Sequence, residues 1–90
     1  MARPISDIDY TSSFQRNYGK LTPAAKRSAE AKEALFREDA FHPKLHTHKL
    51  HGDLADYWAF SIGYDLRIVF RFVGASHVVF LSVGSHDAVY

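Results

Sequence analysis

Between Tyr64 and Val73 the chain alternates with a period of two. Tyr64, Leu66, Ile68, Phe70 and Phe72 share one parity, while Asp65, Arg67, Val69, Arg71 and Val73 share the other. Successive side chains of a strand point to opposite faces, so the first parity demands a core and the second, led by an acid and two arginines, a wetter surface. Gly74-Ala75-Ser76 supplies a hairpin loop. His77 to Val83 is apolar on both parities, which predicts an interior strand covered on both sides. An isolated hairpin is at best marginally stable in water, so the preceding residues must provide the layer that covers this one.

They carry the pattern for it. Pro4 to Tyr10 reads as a short edge strand, with the proline at its start. From Thr11 to Leu21 the period changes: Phe14, Tyr18 and Leu21 recur at spacings of four and three, the mark of a helix face, with Thr11 or Ser12 as cap. Thr22-Pro23 restarts a helix through N-cap and first-turn proline, and AAKRSAEAKEALFRED continues it with strong helix formers. Ala24, Ala31 and Leu35, with Ala25 and Ala34, predict a narrow packing face. Glu33 and Arg37 stand at ion-pair spacing on the outer side, and the two helices are expected to pair as a hairpin.

Phe41 to His51 contains Pro43 and lacks a helical period, so it reads as a loop anchored by Leu45 and Leu50. Asp56 to Ile62 alternates again, with Trp58, Phe60 and Ile62 on the buried face and Tyr57, Ala59 and Ser61 on the other. The resulting expectation is an α+β domain: a short N-terminal strand, a helical hairpin, then a mostly antiparallel three-strand meander with the helices on one face.

At 90 residues there is material for one core, so residues 1–90 are read as a single domain. Seven Phe, five Tyr and one Trp make that core ring-rich. The absence of cysteine excludes disulfides and thiolate metal sites and fits a reducing cytoplasm. No stretch approaches the roughly 20 apolar residues of a membrane helix, and MARPISDIDY lacks a signal-peptide core, so no membrane partner is expected. Net charge is only +1, distributed as 9 basic and 6 acidic residues in 1–52 against 2 and 4 in 53–90. That is a weak electrostatic footprint for nucleic acid.

Two constellations carry possible chemistry. His42, His46, His48 and His51 invite a metal, but neither an HExxH nor a Cys/His pattern accompanies them, and solvated loop histidines have the same appearance. The second is metal-free acid–base catalysis on RNA, whose ribose supplies its own nucleophile. It requires a base at the 2′-oxygen, an acid at the leaving 5′-oxygen and positive charge on the phosphoryl oxygens. His48, Asp65, Arg67, His86 and Tyr90 are the available groups. By spacing alone, Asp65 and Arg67 equally suit a solvated ion pair, and His86 a turn beside Asp87.

The segment KLHGDLADYWAFSIGYDLRIVFRF followed by VVFLSVGSHDAVY resembles the RelE/ParE toxin superfamily, and most of all its YafQ-like mRNA interferases. The resemblance runs over nearly the whole chain. It implies a β-α-α-β-β-β fold, cofactor-free and metal-independent cleavage of mRNA on the ribosome, and a cognate antitoxin that binds the toxin as a hetero-oligomer. By the same resemblance the loop histidine falls on His48, the acidic residue of the third strand on Asp65, the strand arginine on Arg67, the terminal histidine on His86 and the closing aromatic on Tyr90. Lys44, His46, Lys49, His51, Trp58 and Arg71 become expected RNA contacts, with Trp58 or Tyr90 stacking on a base. Two positions depart from the pattern: Ser61 and Ser82 stand where YafQ-like toxins carry a histidine and an arginine. The alternatives within the superfamily are a non-catalytic ParE-like inhibitor of DNA gyrase and a degenerate member that only binds its antitoxin.

Overall fold

In the computed structural model, which describes residues 2–52, 56–63 and 65–85, a five-stranded sheet carries both helices on one face. The order is β1 (Asp7–Tyr10), α1 (Ser12–Gly19), α2 (Pro23–Glu38), a 3-10 turn (Pro43–Leu45), β2 (His48–Lys49), β3 (Trp58–Gly63), β4 (Leu66–Phe72) and β5 (His77–Ser85). Across the sheet the strands run β1-β5-β4-β3-β2. β1 is parallel to β5, and every other pairing is antiparallel. The expected β-α-α-β-β-β framework is therefore present, and β2 is an additional two-residue edge strand inside the segment read as loop. Two residues are too few to show a period. Leu45 and Leu50 anchor that segment as expected, both buried.

The caps work through atoms that the sequence names. Thr11 Oγ1 accepts the Phe14 N–H at 3.0 Å and donates to the Leu81 carbonyl at 2.9 Å, so one hydroxyl starts α1 and ties it to β5. Thr22 Oγ1 accepts from Ala25 N–H at 3.1 Å, with Pro23 opening α2. Ahead of β1, Ile5 N–H donates to the Arg37 carbonyl and Ala40 N–H to that of Arg3, lashing the N-terminal strap to the end of α2. The Arg3 guanidinium lies 3.8 Å from the Phe72 ring centroid, a cation–π contact that closes the strap over the sheet.

The core is built on Phe36. Its ring lies 4.7 Å from Phe60, 4.9 Å from Phe70 and 5.5 Å from Phe80, one partner on each of β3, β4 and β5. All four rings are fully buried. This corrects the helix face expected for α2. Ala25, Ala29 and Phe36 face inward, whereas Ala24, Ala31 and Ala34 are exposed. Alanine occurs on every side of this helix and cannot choose a face, but burying one Phe can. The Glu33–Arg37 pair forms at 3.4 Å, and Glu33 also accepts the Tyr10 hydroxyl at 2.6 Å. Burial first, and this carboxylate second, raise the Tyr10 phenol above its ordinary pKa.

β5 is interior to the sheet, between β1 and β4, but the expectation of cover on both sides fails. Val78, Phe80 and Val83 enter the helix-side core. On the other face Val79 and Leu81 are half-buried, and Leu81 joins a small separate cluster with Leu50, Ala59 and Val69. A bulge resolves the double parity. Val69 pairs with Ser82 and Phe70 with Phe80, so Leu81 is the extra residue, and the strand returns to phase at Val83.

Candidate functional site

Strand register maps the helix-free face in three rows, because residues directly opposite one another in neighbouring strands share a face. One row runs His48, Ala59, Val69, Ser82. The next is Ser61, Arg67, Gly84. On the other side Leu50 N–H donates to the Tyr57 carbonyl, and Arg71 pairs with Val79, which in turn lies beside Asp9. The face thus has an apolar floor of Leu50, Ala59, Val69 and Leu81, with cationic and imidazole groups around it. Among the described residues every buried residue is hydrophobic, so His48, Asp65 and Arg67 each keep contact with solvent.

His48 is exposed at the β2 edge, and its Nδ1 lies 3.1 Å from the His46 carbonyl oxygen. A carbonyl accepts only, so this contact is a hydrogen bond in the tautomer that carries its proton on Nδ1. Arg67 stands between two small residues, Ser61 and Gly84, which leave room for its guanidinium. By strand spacing and rise, the His48 and Arg67 backbones are roughly 12 Å apart, two strands across and two residues along. Side chains reaching inward from both can bracket one phosphodiester.

Asp65 does not continue the parity of Arg67. β4 begins at Leu66, and Asp65 occupies the preceding turn with φ +60°, a left-handed conformation that Asp tolerates better than most residues. Gly63, with φ +92°, shapes the same turn after a bulge in β3, where Ser61 pairs with Arg67 and Gly63 with Leu66. Tertiary contacts hold this end in place: Ser28 on α2 donates to the Ile62 carbonyl, and Gly63 N–H donates to Ser61 Oγ at 3.3 Å. His86 and Tyr90 lie outside the described residues.

The expected RNA contacts separate by face. Arg71 shares the open face with Arg67. Lys44, His46 and His51 are exposed in the segments flanking β2, and His46 adopts a left-handed φ of 53°. Lys49 pairs with Trp58, and both have the opposite parity to His48. Trp58 lies on the opposite face from His48: half-buried, it packs edge-on to Phe41 at 5.4 Å and Phe72 at 5.7 Å on the helix side, the side to which its strand also turns the buried Phe60 and Ile62. The same alternation turns Tyr57 toward the open face, a residue that the strand pattern alone leaves without a role. His77 likewise gives no signal in the sequence. Its Nε2 lies 2.8 Å from Asp9 Oδ2 and links β1 to β5.

Among the described residues no group of three or more His, Cys, Asp or Glu is placed to hold a metal ion, and no helix is long and apolar enough to cross a membrane.

Comparison with known proteins adds the lineage. No curated protein sequence matches the chain significantly. The YafQ toxin of Escherichia coli strain BL21(DE3) superposes with a TM-score of 0.77 at 15% identity, covering 93% of this chain and 97% of that one. A YoeB/ParE toxin from Agrobacterium tumefaciens gives 0.75 at 20% identity, covering 90% and 99%. The toxin–antitoxin complex RelBE2 from Mycobacterium tuberculosis gives 0.72 at 19% identity, covering 92% and 93%. These likenesses establish the RelE/YafQ-like fold, and the family profile described as "bacterial toxin of type II toxin–antitoxin system, YafQ" matches residues 6–90. With the match spanning everything from the entry into β1 to Tyr90, the chain belongs to the YafQ family of type II toxin–antitoxin toxins.

Proposed function

We propose that this toxin is a ribosome-dependent endoribonuclease that cleaves mRNA without a metal ion. The observation that carries the reading is the placement of His48 and Arg67 on one helix-free face, across a small apolar floor. In the proposed step the ribose 2′-oxygen gives up its proton to a general base and bonds to phosphorus. The P–O5′ bond breaks, and an acid protonates the leaving oxygen, giving a 2′,3′-cyclic phosphate and a 5′-hydroxyl. The His48 imidazole suits the base role by chemistry and by its exposed place at the β2 edge, and Arg67 suits the phosphoryl oxygens by its planar fork. Asp65, His86 and Tyr90 complete the proposed set through the family pattern, with His86 following Ser85 directly at the end of β5. Lys44, His46, His51 and Arg71 provide further cations for the RNA backbone.

The partners follow from the same reading. Relatives of this fold were solved as toxin–antitoxin complexes, which supports a cognate antitoxin for this chain. The site of action is then the cytoplasm, where ribosomes carry mRNA.

The test is induction of the wild type, His48→Ala and Arg67→Ala in bacterial cells with mapping of mRNA 5′ ends. New ends should appear with the wild type and fall about 100- to 1,000-fold with Arg67→Ala, the usual cost of one oxyanion-stabilising donor. Cleavage by the purified toxin on programmed ribosomes should persist in EDTA and show a bell-shaped pH profile. Growth arrest with intact mRNA would sink the reading, and inhibition of gyrase supercoiling by the purified protein would replace it with the other mode of the superfamily.

A further inference from the structure

We infer that Tyr57 is the base-stacking residue of this site, positioning an unpaired mRNA base beside His48; the inference rests on the ribonuclease reading above. Three observations converge on it. Every other aromatic ring among the described residues packs against another ring on the helix side of the sheet. Tyr57 makes no ring–ring contact among the described residues, and it packs instead on the open-face cluster of Leu50, Ala59 and Val69. It is half-buried, so part of the ring is held and part is accessible.

Its neighbours supply the remaining chemistry. Ala59 is opposite His48 and Tyr57 is opposite Leu50, so Tyr57 and His48 are diagonal neighbours. Diagonal pairs stand about 7–8 Å apart, within reach of aromatic side chains, which is also the scale of one extended nucleotide step. A base on Tyr57 therefore sets an adjoining ribose near the His48 side chain. Arg71, one residue beyond the Phe70 that pairs with Trp58, stands on β4 opposite Tyr57 and can take a flanking phosphate. Stacking selects for single-stranded nucleic acid, because a base locked in a duplex has no free face to offer.

The stacking face, rather than the hydroxyl, is the inferred function, and that makes the test specific. Single-turnover cleavage of mRNA on programmed ribosomes is measured for the full-length wild type, Tyr57→Ala, Tyr57→Phe and Tyr57→Trp, with thermal melts confirming that each is folded. Tyr57→Ala should lower kcat/KM by about 5- to 150-fold, the range for losing one base–aromatic stack. Tyr57→Phe and Tyr57→Trp should retain most of the activity, and Tyr57→Trp should shift the nucleotide preference beside the cut. In a Trp58→Phe background, the indole of Tyr57→Trp should be quenched when mRNA-programmed ribosomes bind. If the wild type cleaves while Tyr57→Ala cleaves equally well at the same positions, the inference is overturned and the enzyme reading stands. Failure of Tyr57→Phe to rescue, or an unquenched indole in an active protein, also overturns it. A wild type that leaves mRNA intact removes both.

Discussion

Replacing Phe36 with alanine tests the packing argument where it is strongest. Phe36 is fully buried, and its ring touches one phenylalanine from each of the three meander strands at 4.7, 4.9 and 5.5 Å. Truncating a buried Phe costs about 3–5 kcal/mol through lost transfer energy and the cavity left behind. Removing this ring strips Phe60, Phe70 and Phe80 of a partner together, which favours the upper half of that range, since each aromatic pair adds roughly 0.5–1.5 kcal/mol beyond area. A chain of this size has a total stability of about 5–13 kcal/mol, so Phe36→Ala removes a third or more of it. The expected drop in melting temperature is about 15–30 °C. Phe41 provides the contrast. It is also an aromatic ring in a cluster, with Trp58 and Phe72, but it is 38% exposed, so Phe41→Ala should cost only about 1 kcal/mol. Urea denaturation monitored by the Trp58 fluorescence, checked by far-UV circular dichroism, measures both. A Phe36→Ala loss under about 1.5 kcal/mol, or one no larger than that of Phe41→Ala, would refute the assignment of Phe36 as the organising residue.

Thr11→Ala removes both a helix cap and a bond to the Leu81 carbonyl, so it should cost about 1–2 kcal/mol by chemical denaturation, whereas Thr11→Ser should recover most of the loss. Asp39 governs part of the acid limb of stability. The Arg3 N–H at 3.0 Å and the Phe41 N–H at 2.9 Å hold its carboxyl below its ordinary pKa of 3.8. The folded state therefore favours the carboxylate, and this contribution is present above about pH 4 and lost as pH falls through the depressed value. In Asp39→Ala the melting temperature should fall less steeply below about pH 4 than in the wild type, and an unchanged slope would count against the assignment. Asp65 sits at φ +60°, so Asp65→Val should destabilise the turn by about 1–2 kcal/mol while Asp65→Gly leaves stability nearly unchanged. If both variants lose mRNA cleavage but only the first loses stability, the carboxylate and the backbone role separate.

Side-chain period and local capping chemistry are the parts of this fold that the linear order of residues settles. The alternation of Leu66, Ile68, Phe70 and Phe72 was enough to make β4 a strand with one buried face, and Thr22-Pro23 was enough to begin α2. Both depend on interactions within a few residues, which any linear reading contains. The candidates His48 and Arg67 were likewise legible as residue types in a family pattern, and the strand register then put them on one surface. Whatever depends on which distant neighbour a residue meets came from the three-dimensional packing instead. The face of α2 belonged to Phe36 because three strands offered it rings, and no count of alanines contains that fact. Val83 enters the same core as Val78 and Phe80 despite its opposite parity because of the bulge at Leu81, and the register with β4 fixes that bulge. Trp58 and Tyr57 are adjacent in sequence, but the layer of helices covers only one side of the sheet. Their opposite parities therefore turned the larger ring to the helix side, half-buried against the core, and left the smaller one on the face with His48 and Arg67.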